Sequence, residues 1–101
     1  MKAQSVTLNV SYDAPPVTWQ KLSLVYSRLE GWLEGYESPS WFGVDENEKH
    51  VWASVEPGGL LFCGLMADEE WEQWVRQLTE MATHALGYKV FNIEDMPDGR
   101  D

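Results

Sequence analysis

The chain has 101 residues, with seventeen acids against seven bases for a net charge of −10, 44% apolar residues, six tryptophans and one cysteine. That length suits one domain with one core, and the apolar fraction argues against a disordered body. The acidic balance disfavours phosphate backbones and anionic membrane surfaces and favours a cationic partner; no apolar run approaches the roughly 20 residues of a membrane span, and the N-terminal stretch has no apolar h-region.

The first predicted element is a strand from Ser5 to Tyr12, where Val6, Leu8 and Val10 alternate with Thr7, Asn9 and Ser11. Asp13-Ala14-Pro15-Pro16 ends it, because proline cannot donate to a ladder. A helix follows with Thr18 as N-cap. Leu22, Val25, Tyr26, Leu29, Trp32 and Leu33 recur on one face at helical spacing, with Leu24 left off it and Gly35 as the stop. Trp41 to Val44 reads as a short strand, and Asp45-Glu46-Asn47-Glu48 as a turn. Lys49 to Glu56 alternates Val51, Ala53 and Val55 with His50, Trp52 and Ser54. After the Pro57-Gly58-Gly59 turn, Leu60 to Leu65 is an apolar strand suited to burial on both faces.

The clearest element is a helix opening at Asp68. Trp71, Trp74, Val75, Leu78, Ala82, Ala85 and Leu86 form its apolar face. Asp68 fits the N-cap, with Glu69 and Glu70 at the positive end of the dipole. Glu72 and Arg76 are spaced for an ion pair, and Gly87 fits the left-handed stop. Tyr88 to Ile93 has strand composition. The order β-α-β-β-β-α-β predicts an α+β two-layer sandwich, with a mostly antiparallel sheet and two helices on one face, ferredoxin-like with an extra strand. The domain is expected over 1–96 and a disordered tail over 97–101.

Chemistry is sparse. Cys63 lies in LLFCGL with no adjacent base, which reads as a core thiol rather than a nucleophile, and as the only cysteine it forms no internal disulfide. Glu80 and His84 share a helix face, a spacing that metal ligands use and that solvated helices also produce. Phosphate-loop, dinucleotide, zinc-protease, CxxC and nucleophile-elbow motifs are all absent. No catalytic residue, cofactor or metal site is predicted. The single thiol and the missing h-region together lead to an expected cytoplasmic location.

The hairpin aromatics carry the strongest binding signal. With Val51, Ala53 and Val55 toward the helices, His50 and Trp52 face away, and either Trp41 or Phe42 shares their side. Asp45, Glu46 and Glu48 would rim that patch, matching interfaces with aromatic anchors and a charged border. The competing reading puts these rings in a second minicore, under a curled sheet or beyond a bulge.

In its length, acidity, tryptophan content and the ending WEQWVRQLTEMATHALGYKVFNIED, the chain resembles the small acidic bacterial immunity proteins of polymorphic-toxin and contact-dependent-inhibition systems. The resemblance implies a non-catalytic inhibitor that binds a cognate toxin, often a basic nuclease, and blocks its active site, while the net charge of −10 disfavours direct nucleic-acid binding. Two alternatives stay open. A phage-type acidic anti-nuclease inhibitor would array carboxylates at phosphate-like spacing. A housekeeping domain or small enzyme would hold a pocket between helix and sheet.

Overall fold

The computed structural model describes residues 1–95; Met96 and the expected tail at 97–101 lie outside the described residues. Strand β1 (Lys2–Leu8) leads into helix α1 (Pro16–Arg28), two short strands β2 (Trp32–Leu33) and β3 (Ser40–Trp41), the hairpin β4 (His50–Glu56) and β5 (Gly59–Met66), and helix α2 (Asp68–Leu86). The five strands lie in the order β1-β5-β4-β3-β2, with every neighbouring pair antiparallel. The two-layer α+β architecture is therefore as expected, but with no parallel pair among the described strands it is not a split β-α-β arrangement. No helix of the described residues is long and apolar enough to cross a membrane.

Aromatic packing holds the layers together. Trp41 is fully buried and its ring meets those of Trp74 at 5.1 Å, Tyr26 at 5.3 Å and Trp32 at 5.5 Å between centroids, mostly edge to face. Its indole N–H donates to the Tyr26 carbonyl at 3.1 Å, and that of Trp74 donates to the Glu30 carbonyl at 3.1 Å. Buried indoles need such acceptors, because an unpaired polar group in a core costs about 1–3 kcal/mol. Val6, Leu8, Leu22, Leu60, Phe62 and Leu78 fill the rest of the helix–sheet interface.

Several boundaries differ from expectation, each for a local reason. Helix α1 starts at Pro16, whose missing N–H costs nothing in a first turn, so Thr18 is not the cap. It ends at Arg28 because Leu29 is extended and Gly31 sits at φ +91°; Trp32 and Leu33 then pair as a strand. The position before α2 is Ala67, with no side-chain cap. Asp68 instead accepts from Gln4 Nε2 at 2.8 Å and Lys2 Nζ at 3.1 Å, tying the helix start to β1. Glu70 accepts from Lys49 at 2.6 Å on the other side, while no Glu72–Arg76 ion pair forms. Gly87 is left-handed, and its N–H closes on the Thr83 carbonyl as predicted.

The last expected strand, Tyr88 to Ile93, is reduced to one antiparallel bridge between Leu8 and Asn92, followed by a 3-10 turn at Ile93–Asp95. The Asn9 side chain takes the place of a strand partner. Its carbonyl accepts from Phe91 N–H at 2.7 Å and its amide donates to the Lys89 carbonyl at 2.9 Å.

Candidate functional site

Both helices pack on one face of the sheet, and among the described residues the other face has no layer over it. Register decides what that face carries, because partners across a ladder point the same way. One row runs Leu33, Ser40, Trp52, Cys63, Ser5 across all five strands. Beside it lie His50, Leu65 and Ala3 in one row, and Ser54, Leu61 and Thr7 in another. Trp52 stands at the centre, 39% exposed, among half-buried Leu33, Cys63, Leu61 and Leu65. None of these outward positions is lysine or arginine.

The polar groups on this face are fixed by local bonds. His50 Nδ1 lies 2.7 Å from the Glu48 carbonyl; that oxygen only accepts, so Nδ1 holds the proton and Nε2 is left for another contact. Ser54 Oγ donates to Glu56, which brings a carboxylate to the margin of the face. At the β3–β4 turn, Asp45 accepts from the Asn47 N–H at 2.8 Å, and Glu48 accepts from the Asp45 N–H at 3.3 Å. Asp45, Glu46 and Glu48 are exposed there. Cys63 was expected in the core, but it faces outward opposite Trp52. Partial burial pushes its thiol up from the ordinary value, with the Glu56 carboxylate adding to the shift.

Of the residues predicted for the patch, Trp52 and His50 share the uncovered face, and Asp45, Glu46 and Glu48 form the exposed turn beyond it. Trp41 does not belong: it is fully buried on the helix side. Phe42 does not belong either. It follows β3 at φ +71°, and its ring lies against Gly31, where an added Cβ would come within 2.6 Å of it. Lys49 Nζ sits 4.4 Å over the same ring, closing that seam with a cation–π contact. The apolar members Leu33, Leu61 and Leu65 went unpredicted. Alternation within Leu60 to Leu65 was the available signal, and expecting burial on both faces hid it.

Glu80 and His84 do share a face, beside an open cleft of about 490 Å³ between α1 and α2, floored by Val25, Met81 and Ala85. Among the described residues, no group of three or more histidines, cysteines or acids is placed to hold a metal. Comparisons with protein-family models, curated proteins and solved structures found no match.

Proposed function

We propose that this protein is a non-catalytic binding module of the immunity type, which docks a basic protein partner, such as a toxin domain, on the uncovered sheet face in the cytoplasm. One observation carries the reading: a half-exposed tryptophan centred on a face of apolar and small polar side chains that lacks lysine and arginine, in a chain of net charge −10. Tryptophan anchors in partly desolvated surroundings dominate protein interfaces. The acidic turn at Asp45, Glu46 and Glu48 speeds encounter with a cationic surface and adds less to affinity.

The test is capture of partners from the source cell lysate by tagged wild-type protein and by Trp52→Ala, at low and at high salt. A single basic protein held by the wild type, released as salt rises and lost with Trp52→Ala, is the expected result. Loss of about 2 kcal/mol or more in a purified binding assay would mark Trp52 as the anchor. Equal capture by both proteins would remove the face from the mechanism.

A further inference from the structure

The sheet has an unusual edge. Strand β1 lies at one end of the order, and its Asn9 end is used by the chain itself, since Asn9 N–H donates to the Phe91 carbonyl at 3.2 Å. Main-chain groups alternate sides along an antiparallel strand. Ala3, Ser5 and Thr7 therefore turn their N–H and C=O groups to that same outer side, while Lys2, Gln4, Val6 and Leu8 bond to β5. Alternation counted across β5 from the two-residue hairpin at Pro57-Gly58 gives the same assignment. Among the described residues, nothing pairs with Ala3 or Ser5 on that side.

Edges are ordinarily blunted by proline, by bulges, by charge or by a covering segment; here the 3-10 turn at Ile93–Asp95 packs on the Leu8 end of β1, and among the described residues nothing pairs with the Ala3–Ser5 end. Strand β1 has no proline, keeps a one-to-one register with β5 from Lys2↔Met66 to Leu8↔Leu60, and spends its one lysine on Asp68. Beside it, between β1 and α2, runs a groove of about 380 Å³. Val6, Trp71 and Val75 line its apolar part, and Glu72 and Asp95 outnumber its one base, Arg76. A strand edge left unpaired among the described residues, next to an apolar groove along a helix, is the arrangement that takes up an extended peptide as an added strand.

We propose that the β1 edge is a strand-addition site for an extended segment of a partner protein. Main-chain bonds to Ala3 and Ser5 hold the segment. One apolar side chain enters the groove at Val6, Trp71 and Val75, and a neighbouring lysine or arginine reaches Glu72 or Asp95. A second copy of this chain fits less well, since each carries −10. The inference is independent of the Trp52 face and stands whether or not that face binds.

The probe is a phage-displayed library of random peptides, panned on the full chain and counter-panned on Ser5→Pro. Among the described residues the Ser5 N–H makes no bond, so proline removes a donor that an incoming strand would use and obstructs its approach. Wild type should enrich peptides with a β-branched or aromatic residue next to lysine or arginine. A synthetic copy of the leading peptide should bind Ser5→Pro and Glu72→Arg roughly tenfold more weakly or worse, and Trp52→Ala as well as wild type. On saturation the Ala3 and Ser5 amides should slow in hydrogen exchange, while those of Gln4 and Val6, already bonded, stay as they were. Should Ser5→Pro not fold, Glu72→Arg, an exposed change, decides. No enrichment over the variant, or binding that leaves the Ala3 and Ser5 amides fast, overturns the proposal. So does concentration-dependent slowing of those amides without peptide, which would mean self-association.

Discussion

Two tryptophans on adjacent strands have opposite duties, and one register step separates them. Trp52 faces Ser40 across the ladder, and Trp41 faces Val51. Trp41 is the hub of the aromatic cluster, so Trp41→Ala should cost about 3–5 kcal/mol in denaturant unfolding. Trp52→Ala should cost less than about 1 kcal/mol, as surface changes do; equal losses would mean that both rings are structural. Asp68 offers a finer test. The Gln4 amide and then Lys2 hold its carboxyl below the ordinary carboxylate range. A depressed folded value stabilises the fold above the unfolded-state pKa, and that contribution is lost as pH falls through the folded one. Residue-resolved NMR titration should therefore find the Asp68 midpoint below that of a free aspartate, and Gln4→Ala should move it upward. An Asp68 midpoint at the ordinary value would break the link between β1 and the start of α2.

At the scale of elements, strand-like composition does not make a strand where a side chain captures the backbone first. The segment from Lys89 to Phe91 has strand composition, yet Asn9 takes its carbonyl and its N–H. Asn9→Ala should destabilise the protein by about 1–3 kcal/mol, since the part-buried Phe91 N–H loses its acceptor. Amide exchange at Phe91 should accelerate more than at Leu78 in the middle of α2. Unchanged exchange at Phe91 would show that a replacement acceptor is available. Helix α1 follows the same logic, because apolar spacing continues through Trp32 and Leu33 but the backbone at Leu29 and Gly31 has already left the helix.

For the whole molecule, charge sets the conditions of stability and encounter together. Seventeen acids share a small surface with seven bases, and among the described residues two ion pairs form, both exposed or half-exposed. Exposed pairs contribute little, about 0–1 kcal/mol each. Mutual repulsion of the acids is the larger effect, so moderate salt should raise the melting temperature by screening it. A melting temperature that falls with salt would mean that the Lys2–Asp68 and Lys49–Glu70 pairs outweigh the repulsion.

What the sequence determined by itself was local and periodic. The apolar stripe from Trp71 to Leu86, the glycine stop at Gly87, and the alternation that sends Trp52 outward and Val51 inward are all consequences of nearest-neighbour geometry. They were enough for the two-layer α+β class and for two members of the candidate face, Trp52 and His50. Tertiary structure alone decided the strand order, the burial of Trp41, the turning away of Phe42 and the gathering of Leu33, Leu61 and Leu65 around Trp52. It also left β1 at an edge where, among the described residues, nothing pairs with Ala3 and Ser5 on the outer side. Each of these depends on which strand lies beside which. That choice is made by contacts between residues far apart in the chain, such as Val6 with Phe62 and Asn9 with Phe91, and no local pattern encodes it.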